Sequence, residues 1–150
     1  MRAYLIAVVS VFCVLAVSAC SSTKTPPAGR WEGVYEAPDE MVAVRLEITA
    51  KGDIYLSAPN ALDIMATPPD QRPAMRAHLT DELVQGWSAV VPRPMDFDGR
   101  VFRKPGGIAP QMEWNPQSKQ MTVVLYFGMH NALRVPLRAV ADFSDNPWAG

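Results

Sequence analysis

Two histidines, His78 and His130, carry the side chains that titrate nearest neutral pH, and no motif joins them. A metal centre needs three or four converging ligands. The chain has no H-x-x-x-H, H-x-x-E-H or paired-cysteine spacing, so no metal ligand is assigned. His78 has Asp81 and Glu82 within helical reach, which makes an exposed ion pair the plain expectation. His130 follows Met129 in the turn Gly128–Asn131, a soft pairing that copper(I) would accept. Yet Met41, Met65, Met75, Met95, Met112, Met121 and Met129 are scattered without M-x-x-M clustering, and several fall in apolar phases. Core filling is the stronger account of them.

Hydrolytic chemistry finds as little support. No G-x-S-x-G elbow surrounds Ser57, Ser88, Ser118 or Ser144. Asp96 and Asp98 share one face of a predicted strand, as paired acid–base carboxylates would. Arg93, Arg100, Arg103 and Lys104 crowd them, so ion pairing is the expected use. Those four cations against two acids leave a local excess of positive charge, read either as a solvated hairpin or as a surface for lipid phosphates. Gly106-Gly107 lacks the further glycine and Lys-Ser/Thr of a phosphate loop. No catalytic residue is assigned, and the protein is read as non-enzymatic.

Composition narrows the classes further. Of 150 residues, 49% are apolar and 19% charged, with 14 cations against 15 anions. A net charge of −1 excludes an electrostatic nucleic-acid binder, and the apolar fraction excludes a wholly disordered chain.

The two cysteines belong to the first twenty residues. Arg2 begins a segment in which Ala3 to Ala19 is apolar except for Ser10 and Ser18, too short for a comfortable membrane span of roughly 20 residues. Val17-Ser18-Ala19-Cys20 closes it and resembles the lipobox of bacterial lipoproteins. The resemblance implies that residues 1–19 are a signal peptide and are removed. It further implies that the Cys20 sulfur receives a diacylglycerol and its amino group an acyl chain, and that Ser21 sorts the product to the outer membrane of a Gram-negative cell, facing the periplasm. Cleavage as an ordinary secreted protein is the competing reading of the same residues. Loss of residues 1–19 takes Cys13 and one cation, giving a mature charge of −2 and 131 residues. With Cys20 acylated, the mature domain has neither disulfide nor free thiol. Residues 20–28 then form the lipidated cysteine and a polar, proline-containing tether, and 29–150 a single β-rich domain.

What positions the remaining residues is mostly strand. Val42, Val44, Leu46 and Ile48 alternate with Ala43, Arg45, Glu47 and Thr49, one face apolar and one wet. Lys51-Gly52-Asp53 turns the chain into Ile54 and Leu56, completing a hairpin. Met121, Val123, Leu125 and Phe127 share a face, as do Leu133, Val135, Leu137 and Phe143. Asn115-Pro116-Gln117-Ser118 is a turn that folds Met112 and Trp114 back alongside the strand carrying Met121, Val123, Leu125 and Phe127. Asp98-Gly99 marks a shorter hairpin, and Pro136 predicts an edge or a bulge in the last strand. Between these lies one helix, expected from about 68 to 85. It has Thr67 as N-cap and Gly86 as terminator, with Met75, Leu79 and Leu83 inward and Arg72, Arg76, Asp81 and Glu82 outward. The expected fold is mainly β: an antiparallel small barrel or sandwich of about seven strands with one inserted amphipathic helix.

Gly29-Arg30-Trp31 opens the first strand, and this G-x-W start resembles that of the lipocalins. In that family the tryptophan closes one end of the barrel under an arginine from the last strand, a role the resemblance offers to Arg134 or Arg138 over Trp31. A tryptophan that simply plugs one core end fits equally, and Trp31 is structural in both accounts. The functional expectation is a membrane-anchored protein that binds or scaffolds an envelope component. The alternative is a carrier of an acyl or other apolar ligand, lined by Trp114, Leu125, Phe127 and Leu137. No cofactor is expected beyond the lipid on Cys20. The expected partners are the membrane and an envelope protein or apolar ligand, with no nucleic acid.

Overall fold

A computed structural model describes residues 25–38, 40–58, 67–88, 90, 92, 95–103, 111–127 and 131–149. Expectations placed on residues 1–24 and on Met65, Arg93, Lys104, Gly106-Gly107, Met129 and His130 lie outside the described residues. Period-two alternation becomes strands: β1 (Gly29–Ala37), β2 (Glu40–Ile48) and β3 (Ile54–Ser57) precede helix α1 (Arg72–Ser88). The strands β4 (Asp96–Phe97), β5 (Val101–Arg103), β6 (Gln111–Asn115), β7 (Gln120–Phe127) and β8 (Asn131–Val140) follow, and a 3-10 turn covers Pro147–Ala149. Eight antiparallel strands form one sheet in the order β3-β2-β1-β8-β7-β6-β5-β4, curled into a half-barrel. The expected class is therefore the observed one, with eight strands among the described residues in place of about seven.

The core fills the concave side of the curl. Trp31, Val44, Leu46 and Leu56 from one wing of the sheet meet Met112, Trp114, Met121, Val123, Leu125, Val135 and Leu137 from the other. The turn at Asn115 brings Met112 and Trp114 alongside β7 as expected, in a register that sets Trp114 opposite Met121 and Met112 opposite Val123. β8 is a central strand, not an edge. Its ladder with β1 stops at Glu32↔Arg138, two residues short of Pro136, which brings no N–H to extend it. Gly33 sits where β8 crosses closest. A Cβ there would lie 2.3 Å from the Pro136 carbonyl oxygen and 2.7 Å from Leu137 Cδ2.

Helix α1 packs on the convex side, over β2 and β3. This corrects the wet face expected of β2: Ala43 and Arg45 are buried along with the core residues. The helix also starts later than expected. Thr67-Pro68-Pro69-Asp70 makes a separate turn, in which the Gln71 N–H donates to the Pro68 carbonyl, and the helix begins at Arg72 with Pro73 in its first turn. It runs through Gly86 instead of ending there. The missing Cβ lets the helix approach β3, since a Cβ would lie 3.2 Å from Ser57 Oγ. Leu79 and Leu83 are buried as the spacing predicts, while Val84 is exposed. Arg72 and Arg76 turn to Glu36, Arg72 Nη1 at 2.9 Å and Arg76 Nη2 at 2.8 Å, tying the helix to the far end of β1. These arginines hold the Glu36 carboxyl below its ordinary value, the Arg76 hydrogen bond contributing most.

Beyond β8 the chain leaves the core side. Phe143, expected beside Leu137, packs on the convex face edge-on to Trp87 at 4.6 Å, with the Arg45 guanidinium 5.1 Å above its ring. Ser144 then donates its N–H to Glu32 Oε2 at 3.1 Å, and Trp148 Nε1 donates to Thr80 Oγ1 on the helix at 3.2 Å. Residues 141–149 thus strap the helix to the sheet.

Candidate functional site

Strand directions gather three hairpin tips at one end of the sheet. β1 leaves from this end and β2 returns to it, so the turn between β2 and β3 lies beside Gly29, the first residue of β1. The β4–β5 and β6–β7 turns lie at the same end, because each joins strands entering and leaving in that sense. Each tip is held by a side chain that accepts backbone N–H groups. Thr49 Oγ1 takes the N–H of Asp53 at 3.1 Å. Asp98 Oδ1 takes those of Arg100 and Val101, and Asn115 Oδ1 those of Gln117 and Ser118. Those backbone donors, that of Val101 foremost, hold the Asp98 carboxyl below its ordinary value.

Each tip also presents one exposed cation: Lys51, Arg100 and Lys119. Among the described residues none of these three takes part in an ion pair within 4 Å. Lys119 adopts φ 53°, a left-handed conformation that glycine or asparagine enters at lower cost than lysine.

Between the second and third tips, on the convex face, an open groove of about 1170 Å³ is lined by Arg100, Arg103, Glu113, Gln120 and Arg134 among others. Arg134 pairs with Glu113, which raises the arginine's pKa, and Arg103 Nη2 lies 3.7 Å from Asp98 Oδ2. Asp96 stays exposed on β4 and Asp98 is committed to its turn. The two carboxylates therefore serve different ends.

Arg134 and Arg138 do not cross Trp31. Trp31 stands opposite Ala139 and Glu32 opposite Arg138, so the two arginines project from the convex face and the tryptophan from the concave one. Arg138 instead places Nη2 3.6 Å from Glu32 Oε1. Trp114, Leu125 and Leu137 lie in the core, and Phe127 closes β7. His78 pairs with Glu82 at 3.2 Å one turn along the helix. Among the described residues no three His, Cys, Asp or Glu side chains converge as a metal would require, and no helix is long and apolar enough to cross a membrane.

Sequence reasoning singled out Arg100 and Arg103 as part of one charged run but missed Lys51 and Lys119. Their common end follows only from strand order. A positional signal existed, since each lies in a turn already read from Gly52 or Asn115.

No family model, no curated protein and no solved structure matches this chain.

Proposed function

We propose that the protein is a lipid-anchored envelope protein that faces the periplasm from a Gram-negative outer membrane and binds or scaffolds an envelope component without catalysing a reaction. The observation that carries this reading is Val17-Ser18-Ala19-Cys20, placed six residues before Pro26, the first buried side chain among the described residues. Two or three acyl chains on Cys20 would hold the domain stably, because each buried methylene contributes about 0.8 kcal/mol. The polar groove of Arg100, Arg103, Glu113 and Arg134 offers a surface suited to binding.

Carriage of an apolar ligand would need space inside the curl. Val44, Leu46, Met112, Met121, Val123 and Val135 have 0% exposure, so no water-sized void adjoins them. Packing of this kind favours the scaffold over the carrier.

Growth with labelled palmitate tests the anchor. Wild type incorporates the label and gives an intact mass that begins at acylated Cys20, whereas Cys20→Ala incorporates none. An unlabelled wild type, cut elsewhere or uncut, would overturn the reading.

A further inference from the structure

We propose that the tethered end of the half-barrel is a docking surface for anionic phospholipid, with Lys51, Arg100 and Lys119 contacting headgroup phosphates of the leaflet that holds the anchor. This rests on the lipid-anchored reading above and names what its charged end engages.

Three observations support it. The first is reach. Pro26 is buried, and the six residue steps from Cys20 to it can span at most roughly 20 Å, whatever path they take. The headgroup layer takes up about 5–8 Å of that. The tips are thereby confined to a distance comparable with the Debye length of about 8 Å at physiological salt, where cations feel an anionic surface. The second is placement. Three separate hairpins deliver one exposed cation each to the end where the tether leaves, and each tip is fixed by its own side-chain acceptor. Of the acids at this end, Asp98 is engaged by its turn and Arg103, and Asp142 by Arg30. Asp53 is exposed in the first tip and offsets Lys51 there, leaving Arg100 and Lys119 as the larger share of the positive charge. The third is Lys119 itself. A charged side chain is kept at a positive φ that glycine would occupy more cheaply, and unfavourable backbone geometry of this kind is characteristic of functional positions.

The test uses the full lipidated protein reconstituted into vesicles. Under the anchored reading Cys20 is capped by its lipid, so Gln117→Cys supplies the sole thiol for a nitroxide at the third tip, and Glu40→Cys one at the opposite end of the sheet. In vesicles of phosphatidylethanolamine with phosphatidylglycerol, the label at 117 should report headgroup depth and the label at 40 bulk water. Headgroup contact at 117 should fall about fivefold for each tip cation removed. It should vanish in the combined variant Lys51→Gln, Arg100→Gln, Lys119→Gln, in neutral phosphatidylcholine, and in about 1 M salt, where the Debye length is near 3 Å. Far-UV circular dichroism confirms that the variant is folded, and single glutamine variants give the same gradation if the triple one is not. A water-like label at 117 in every vesicle, with Cys20 acylated by intact mass, overturns the docking surface alone. Contact unchanged by lipid charge overturns it too. An unacylated Cys20 overturns both the docking surface and the anchor.

Discussion

Arg45 Nε donates to Glu32 Oε2 at 3.3 Å across the β1–β2 pair, with the two side chains only 5% and 1% exposed. Desolvating two charges costs several kcal/mol, so this pair holds only because other groups complete it. Ser144 supplies an N–H to Glu32 and its carbonyl to Arg45 Nη2, Phe143 lies under the guanidinium, and Arg138 approaches Glu32 Oε1. The pair is the fastening for residues 141–149.

Removing one partner strands the other charge. Arg45→Met is expected to destabilise the domain by about 3–5 kcal/mol in urea unfolding, whereas Arg45→Met with Glu32→Leu should recover most of that loss. A single variant costing less than about 1 kcal/mol would mean that the charge is not buried in solution.

Gly33→Ala introduces a Cβ within 2.3 Å of a backbone oxygen that cannot rotate away. The expected loss is about 3 kcal/mol, the upper end of what overpacking a filled site costs, read as a lowered melting temperature. Gly52→Ala offers a comparison. It meets nothing within 4 Å but sits at φ 89°, so backbone strain alone should make it milder.

Acid should loosen the helix before the sheet. The Glu36 carboxyl is held below its ordinary value of 4.5 by Arg76 and Arg72, so its contribution is full above that pH and fades as the pH falls below it. The melting temperatures of wild type and Glu36→Gln should therefore differ by a constant amount above about pH 5.5 and converge in acid. A gap that widened on acidification would contradict the sign.

Lys119→Gly relieves a positive φ and should stabilise the domain by about 1 kcal/mol, measured by chemical denaturation. The same variant removes one tip cation. Stability and membrane contact should then move in opposite directions.

Local chemistry made much of this molecule legible. The turns at Gly52, Asp98 and Asn115, and the antiparallel pairing of β6 with β7 that the last of them imposes, follow from short-range rules that nothing distant opposes. What escaped was decided by surfaces meeting across the fold. Ala43 and Arg45 read as a wet face because nothing in β2 itself announces the helix that covers them. Arg138 read as a partner for Trp31 because a strand's faces are assigned only once its register is known, and a shift of one residue exchanges them. Phe143 read as a continuation of β8, though the chain turns away after Val140. The helix start misled by resemblance, since Thr67-Pro68-Pro69 has the right residues one turn early. At the charged end, the individual turns were visible and their convergence was not.

The first and last strands are neighbours, and the Ser144 N–H reaches Glu32 over a separation of 112 residues. Until the C-terminal segment arrives, β1 and β2 can form a hairpin whose Glu32 and Arg45 lack their backbone partners at Ser144. Closure of the ladder between β1 and β8 is then expected late in folding, because the loop entropy must be spent before any contact rewards it. In synthesis from the N-terminus, the half made first must wait for the half made last. A truncated product lacking residues 141–149 should accordingly be cut by added protease faster than the full chain, however complete its sheet.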